Sequence, residues 1–313
     1  MYYQLTGWLE DLVKVYGKEG YRMKSLSGER VFFGLNYILT ALIALSCILP
    51  IVHVVAVSLS HSQAITSGKV FLWPIQLNID SYRLLFDGTP IIRAFNNSVT
   101  ITVVGIVLSM LGTTITAYAL SRPNMPWRKA FTLILVFTML FNGGIIPTYL
   151  VVKSLSLINT YGAIWFTMLL STYNVLVMKT FLEGLPSEVY EAGTIDGCSE
   201  FRLFYSIALP LSKPVIAALS LFYGVSYWNA YMPVLIYVTA SAKQNMTVLV
   251  QQMIKSQTLM DELASQQLED IMMITPEGVK SAAVVIMILP MLIVYPFVQK
   301  YFVKGVLIGA IKS

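Results

Sequence analysis

The sequence predicts an all-α polytopic membrane protein with six transmembrane helices and both termini on the cytoplasmic side. Of its 313 residues, 56% are hydrophobic and only 12% are charged, and the mean hydropathy is +0.70. A soluble domain usually contains about twice that share of charged residues. Because a charged side chain costs roughly 2.5–3.5 kcal/mol at the centre of a membrane helix, stretches without charge indicate the spans directly.

Six stretches lack Asp, Glu, Lys and Arg over close to the ~20 residues that a spanning helix needs. They are residues 31–68, 94–121, 130–152, 154–178, 214–242 and 281–299. The buried helices of a soluble protein of this size would not give six such stretches. We therefore expect one membrane domain over residues 31–313.

The Lys and Arg residues indicate the orientation. With six spans, the two termini and the even-numbered loops lie on one side and contain 14 of the 21 basic residues. Cytoplasmic loops are enriched in Lys and Arg, so this side is predicted to be cytoplasmic. The net charge of +5 follows from this asymmetry and gives no reason to expect a nucleic-acid partner.

The first 30 residues are predicted to form a short amphiphilic segment on the cytoplasmic membrane surface. Their charges are scattered, and no apolar core precedes a small-residue cleavage site, so we do not expect a signal peptide. The first span is therefore expected to remain as an anchor.

Two spans contain helix-breaking residues. The third span contains Gly143, Gly144 and Pro147, and the fifth contains Trp228-Asn229 followed by Pro233. Proline removes a backbone donor and bends a helix. In a bilayer, irregular backbone is tolerated only against protein or a water-filled cavity, so these breaks indicate an internal pathway.

A polar loop over about residues 183–213 separates the fourth and fifth spans. Pro186-Ser187 and Ser199 are typical helix starts, Gly197 can form a sharp turn, and Leu209-Pro210 is expected to end the second helix. The loop is therefore predicted to hold two short helices at an angle. Packing gives no evident reason for its five carboxylates, which are Glu183, Glu188, Glu191, Asp196 and Glu200.

This loop resembles the EAA loop of ATP-binding-cassette (ABC) importer permeases. The matching residues, in order and spacing, are Glu191, Ala192, Gly197, Ile207, Leu209 and Pro210. It departs from that pattern at Gly193, where the family usually has a second alanine, and this lowers helix stability by about 1 kcal/mol. Segments that resemble the carbohydrate branch, and most closely its maltose-type second ("G") permease, are 97–98, 117–122, 146–150, 157–161, 222–233 and 301–312.

The resemblance implies a type I ABC importer permease fold with cytoplasmic coupling helices, in the bacterial cytoplasmic (inner) membrane. It implies import of an oligosaccharide or related carbohydrate by alternating access. The expected partners are a homologous second permease, two ATPase subunits, an extracytoplasmic sugar-binding protein and the lipid bilayer. ATP and Mg²⁺ would bind to the ATPase, so no cofactor is expected in this chain.

The resemblance also implies site residues. Glu191 would pair with a basic group of the ATPase, Phe201 and Leu203 would insert as apolar plugs, and Asp196 and Arg202 would lie at the rim or simply be solvated. The full docking set is Glu191, Ala192, Gly193, Asp196, Gly197, Phe201, Arg202, Leu203, Ile207, Leu209 and Pro210.

Sugars are bound by aromatic stacking and hydrogen bonds, so aromatic and amide residues at the break in the fifth span and in the third and fourth spans are candidates for the substrate pathway, with helix packing as the alternative for each. These candidates are Asn142, Tyr173, Asn174, Trp228, Asn229 and Tyr231. The outer loop 243–280 is either a docking surface for the binding protein or a solvated connector.

Other function classes fit the sequence less well. It contains no phosphate-binding loop, no His-Glu-x-x-His and no carboxylate pair within a span, so an enzyme is not expected. Cys47, Cys198, His53 and His61 lack metal-ligand spacing. An ion-coupled secondary transporter would place ionisable residues inside its spans, where only His53 lies. A permease of the polyamine or phosphonate branch would share the Glu191 loop, but segment 222–233 and the C-terminal segment argue against it.

Overall fold

The computed structural model describes residues 27–255 and 275–310, with side chains for 31–255 and 275–296. Most of the predicted N-terminal segment, residues 256–274 of the outer loop and residues 311–313 lie outside the described residues. The described parts are helical, apart from one isolated antiparallel bridge between Ser60 and Leu77.

In chain order the helices are α1 (Ser27–Ser58), α2 (Ser62–Thr66), α3 (Asp80–Gly88), α4 (Ile91–Ser121), α5 (Arg128–Leu140), α6 (Ile145–Ser154), α7 (Tyr161–Thr167), α8 (Thr172–Glu183), α9 (Ser187–Ile195), α10 (Glu200–Leu211), α11 (Lys213–Trp228), α12 (Met232–Tyr237), α13 (Met246–Lys255) and α14 (Pro276–Ala310). One compact unit ends at Val52 and the second begins at His53. The sites described below all lie in the second unit.

The described helices account for three to six candidate spans. Three straight segments are long and apolar enough to cross a membrane: Val31–Ser58 of α1, α4, and Pro276–Pro296 of α14. Three bent pairs also pass this test: α5 with α6 at 115°, α7 with α8 at 53°, and α10 with α11 at 79°. The expectation of an all-α membrane protein is confirmed, although the fourth predicted stretch begins too early because residues before Tyr161 belong to a turn.

The predicted break in the third span is present. Helix α5 ends at Leu140, and α6 starts after Gly144, whose φ of +87° is unfavourable for residues with a Cβ. The backbone N–H of Gly144 donates to Asn142 Oδ1 at 2.9 Å, which shapes the turn. Pro147 lies in the first turn of α6, where its missing N–H removes no helical hydrogen bond.

The predicted break in the fifth span is present as well, between Trp228 and Met232. Two side chains at the start of α13 donate hydrogen bonds to the backbone carbonyls that the break leaves without a helical partner. Asn245 Nδ2 donates to the Ala230 carbonyl at 2.9 Å, and Thr247 Oγ1 donates to the Trp228 carbonyl at 2.9 Å. This break is therefore closed by protein contacts, one of the two conditions under which a bilayer tolerates it.

Helix α4 lies at the centre of the packing, against α8 and α11. Small and hydroxylated residues line its contact with α11, as is common between membrane helices. Ser109 is hydrogen-bonded to Tyr227 at 2.9 Å and Thr113 to Tyr223 at 2.7 Å, all four residues being buried. Gly105 meets the Tyr227 ring so closely that a Cβ there would lie 2.7 Å from it.

At the opposite end from the polar loop, Asn159 joins two connecting segments. Its Oδ1 accepts hydrogen bonds from the backbone N–H groups of Thr239 (2.7 Å) and Ala240 (3.0 Å) and from the Thr239 hydroxyl (2.8 Å). Its carbonyl accepts from Lys243 Nζ at 2.8 Å. Asn159 has a φ of +61°, a region that Asn adopts more readily than most residues. One side chain thus connects the turn before α7 to the segment after α12.

Candidate functional site

The polar loop, residues 183–213, contains two helices, as predicted. Helix α9 ends at Ile195, and α10 begins at Glu200. The expected end of α10 at Leu209-Pro210 is wrong, since the helix continues to Leu211 through a π-helical turn over Phe204–Ala208. Proline therefore does not end the helix here, and the helix stops one residue later.

The angle between the two helices is set by a local motif. Gly197 has a φ of +76°, its N–H donates to the Thr194 carbonyl at 3.0 Å, and the Cys198 N–H donates to the Gly193 carbonyl at 2.9 Å. These are the two hydrogen bonds of a Schellman motif. The Ser199 hydroxyl then accepts from the Arg202 N–H at 3.4 Å and caps α10. The predicted turn and cap are confirmed.

Gly193 allows the two helices to approach closely. A Cβ at this position would lie 2.5 Å from Leu203 Cδ2 and 3.1 Å from Ile207 Cδ1. Leu203 is 1% exposed and Ala208 is fully buried, so this is the interior of the loop. The role expected for Leu203 as a plug does not fit this location, because a side chain packed under Gly193 cannot insert into a partner.

The outer surface of the loop combines apolar side chains with free carboxylates. Ile195 is 85% exposed, Phe201 77% and Tyr205 67%. Three acidic residues are exposed and have no ion pair within the part of the chain that the structure describes: Glu188, Glu191 and Asp196. Glu191 and Ile195 also line a cavity of about 790 Å³ between α9 and the end of α4. A surface of this kind is suited to binding another protein.

Arg122, directly after α4, connects this helix to both helices of the loop. Its guanidinium lies 4.5 Å from the centre of the Tyr190 ring on α9, and its Nη2 lies 3.3 Å from Glu200 Oε1 on α10. The Tyr118 hydroxyl donates to Glu200 Oε2 at 2.8 Å. The sequence predicted Arg122 as a cytoplasmic charge and as the last residue of the segment 117–122, but gave no role for its side chain.

Tyr190 is the centre of this connection. Burial raises the pKa of its phenol, Arg122 acts in the opposite sense, and the negative charge of Glu200 raises it further. The hydroxyl therefore remains neutral, and it has no hydrogen-bond partner among the described residues. The Tyr190 ring thus contributes through packing and through its contact with Arg122.

A second ion cluster holds the start of the loop. Glu183 Oε1 lies 2.9 Å from Lys179 Nζ on the same helix and also contacts Arg128 Nη2 at the start of α5. The interpretation of all five carboxylates as lacking a packing role is therefore corrected. Glu183 and Glu200 fix the loop to the helix bundle, and the other three face outward.

The six candidates for the substrate pathway differ in location. Trp228 is 4% exposed, its Nε1 donates to the Met287 carbonyl at 3.1 Å, and its ring packs edge-on against Phe95. Asn174 is also 4% exposed, so both lie within the helix packing. Asn142 is exposed and shapes the turn before α6. The other three reach the surface at least in part: Tyr173, Asn229 and Tyr231.

Some groups near these candidates could take part in binding. Lys255 Nζ lies 3.3 Å from the Tyr231 hydroxyl and 5.4 Å from its ring centre, which places a cation beside the break in the fifth span. Among the described residues, no three His, Cys, Asp or Glu side chains lie close enough together to hold a metal ion.

The bent apolar spans define a membrane protein, and the outward-facing polar loop offers a surface suited to binding another protein. Residues 103–308 match the model of the family described as binding-protein-dependent transport system inner membrane component, and the chain belongs to this family. The expectations of a type I ABC importer permease fold and of a multi-pass inner-membrane protein are thereby confirmed. The alternative of an ion-coupled secondary transporter is excluded.

Individual relatives are similar over almost their whole length. The polygalacturonan/rhamnogalacturonan transport system permease protein YtcP of Bacillus subtilis is 39% identical over 91% of this chain and 99% of its own. Protein LplC of the same organism is 37% identical over 94% and 99%. The arabinooligosaccharides transport system permease protein AraQ of Halalkalibacterium halodurans is 28% identical over 89% and 97%.

A solved structure shows the same fold. A chain of a bacterial ABC transporter involved in the import of the acidic polysaccharide alginate is similar with a TM-score of 0.82 and 29% identity, over 90% of this chain and 99% of that chain.

Proposed function

We propose that this chain is one of two permease subunits of a carbohydrate importer. ATP and Mg²⁺ bind to two separate ATPase subunits, and an extracytoplasmic binding protein delivers an oligosaccharide. The observation that carries the proposal is the polar loop, because it is rigid, fixed to three bundle helices and open to a partner on its outer surface.

The docking role follows from the difference between the interior and the exposed residues of the loop. Gly193, Leu203, Ile207 and Leu209 face the interior at least in part, so they maintain the angle between α9 and α10. The docking surface consists of exposed residues, with Phe201 and Ile195 supplying apolar contacts. Glu191 pairs with a basic group of the ATPase, and Asp196 and Arg202 lie at the rim. Ala192 and Pro210 complete this surface.

Movement of the docked ATPases reaches the spans through the two ion clusters. The Arg122 contacts join the loop to α4, and the Glu183 contacts join it to α5 and α8. Helix α10 continues into α11 after only one residue, at an angle of 79°. A displacement of the loop therefore turns α11 directly, and α4 packs against α11 along its length.

The proposed substrate class rests on the relatives. The names of YtcP and AraQ refer to transport of polygalacturonan or rhamnogalacturonan and of arabinooligosaccharides, and the similar solved structure is of a transporter involved in alginate import. Galacturonans and alginate both consist of acidic sugars. Together with Lys255 beside Tyr231, this makes uronic-acid oligosaccharides the first substrates to test, with neutral oligosaccharides second. The same names favour the carbohydrate branch over the polyamine and phosphonate branches.

Purification from native membranes in a mild detergent, followed by mass spectrometry, tests the subunit composition. We expect an ATPase and a second six-span permease to co-purify. Recovery of this chain alone or as a homodimer would contradict the proposal.

Uptake of labelled oligogalacturonides and arabinooligosaccharides by cells tests the function itself. Glu191→Ala is expected to abolish uptake, because it removes the carboxylate that pairs with the ATPase. Membrane insertion should stay normal, because this exposed carboxylate forms no ion pair within the described residues. Glu188→Ala, which removes another exposed carboxylate from α9, is the matched control and should retain uptake. Normal uptake by Glu191→Ala would contradict the docking role.

A further inference from the structure

A groove that transport does not account for lies at the start of α5. It has a volume of about 690 Å³ and lies between residues 123–136 and the end of α8. Its rim is formed by Trp127, Arg128, Lys129 and Lys179, and its apolar wall includes Leu133 and Val136. The groove is at the same end of the helices as the polar loop, because Arg128 contacts Glu183.

The rim has an excess of positive charge. Arg128 and Lys179 share a single carboxylate, that of Glu183. Lys129 is exposed and has no ion pair within the described ranges. Three cations therefore face one anion, and an excess of two positive charges remains at the mouth of the groove.

The wall changes from polar to apolar along one face of α5. Lys129, Leu133 and Val136 are four and three residues apart, so they lie on the same side of the helix. Leu133 is 69% exposed, although α5 belongs to an apolar bent span. A ligand in this groove would therefore meet charge at the rim and hydrocarbon below it.

Trp127 marks the level of the membrane surface. It is 79% exposed and has a φ of +60°, a backbone conformation that bulky residues seldom adopt. Tryptophan is enriched at the boundary between lipid headgroups and acyl chains. An exposed Trp beside basic residues is typical of headgroup height, and a rim at that height would place the apolar wall at the depth of the acyl chains.

We propose that this groove binds one anionic phospholipid. Its phosphate lies between Arg128 and Lys129, its headgroup packs beside Trp127, and one acyl chain follows Leu133 and Val136. The positive excess selects anionic over zwitterionic lipids, since each basic residue near a membrane surface favours an anionic lipid severalfold. The apolar wall favours a lipid over free phosphate, because an acyl chain can pack against it and phosphate cannot.

Native mass spectrometry of the purified complex, reconstituted with phosphatidylglycerol or phosphatidylcholine, tests the proposal. We expect phosphatidylglycerol to be retained in preference to phosphatidylcholine, and Lys129→Gln to lower its retention about fivefold. Lys153→Gln is the control and should leave retention unchanged. It removes an exposed lysine near the end of α6, at the opposite end of the bent pair α5 and α6 from Lys129. Equal retention of the two lipids, or no effect of Lys129→Gln, would overturn the proposal.

Two further measurements separate a lipid from other occupants. Val136→Trp fills the groove below the rim and should displace the lipid although every charge remains. Excess inorganic phosphate should not compete, and competition would show a simple anion site instead. Loss of the second permease from the variants, with lipid retention unchanged, would mean that the groove is a protein contact and would refute the proposal.

Discussion

Gly193→Ala is expected to destabilise the polar loop, although alanine is the better helix former. The added Cβ would lie 2.5 Å from Leu203 Cδ2, against about 3.5–4.0 Å for an ordinary carbon contact. Leu203 is 1% exposed, so its methyl group can move away from the new Cβ only by shifting against other packed side chains. Overpacking of this kind costs roughly 1–3 kcal/mol, whereas the gain in helix propensity is about 1 kcal/mol. The net change is a loss of up to about 2 kcal/mol.

Hydrogen exchange of the α9 amides in the purified complex measures this change directly. Since 1.4 kcal/mol is a factor of ten, exchange from the open state should accelerate by up to about thirtyfold. Thr194→Ala, at an exposed position on the same helix, is the matched control and should leave exchange unchanged or slow it.

The double variant Gly193→Ala/Leu203→Val identifies the clash as the cause. Valine lacks the methyl group that the new Cβ would meet, so it should restore most of the lost protection. Slower exchange in Gly193→Ala alone, or no recovery in the double variant, would refute the packing argument. The alanine usual at this position in the family would then be compatible with this loop as it stands.

Four further predictions concern other contacts. Arg122→Gln should lower transport per ATP hydrolysed, because the loop loses the Arg122 contacts with Glu200 and Tyr190 and keeps only the Tyr118 hydrogen bond to α4. An unchanged ratio would contradict this coupling path. Gly197→Val places a branched residue at a φ of +76° and should also uncouple hydrolysis from uptake, with normal coupling as the contrary result. Asn159→Ala should lower the melting temperature more than Asn159→Gly. Both variants lose the side-chain hydrogen bonds, but only glycine adopts the φ of +61° without strain. An equal fall in melting temperature would mean that only the hydrogen bonds matter. A reporter fused after Ser313 should be cytoplasmic, and an external signal would reverse the predicted orientation.

The positions of most spans and breaks could be read from the sequence because they depend on local chemistry. Charged residues are too costly within a bilayer, so their absence located the helices. It did not fix their ends: the first stretch runs to residue 68, whereas α1 ends at Ser58. Gly144 lies at a break because it adopts a positive φ that other residues avoid, and Pro233 lies in the first turn after a break because its missing N–H removes no helical hydrogen bond there. The same holds for Gly197 and Ser199, whose turn and cap involve only neighbouring residues.

Predictions from local sequence patterns were wrong at some positions. Pro210 was expected to end α10, but a π turn carries the helix past it. Trp228 resembled a sugar-binding aromatic at a break, yet its indole N–H is satisfied by Met287, 59 residues away. Sequence patterns do not reveal such partners, because the residues next to Trp228 in the sequence are compatible with either a buried or an exposed side chain.

The sequence by itself determined the class of protein and the position of the polar loop between two apolar stretches. The tertiary structure alone decided which loop residues are available to a partner. It placed Leu203 beneath Gly193, paired Glu200 with Arg122 across 78 residues, and left Phe201 exposed. The physical reason is that solvation and helix propensity act on each segment separately, whereas burial and ion pairing depend on which segments the fold brings together.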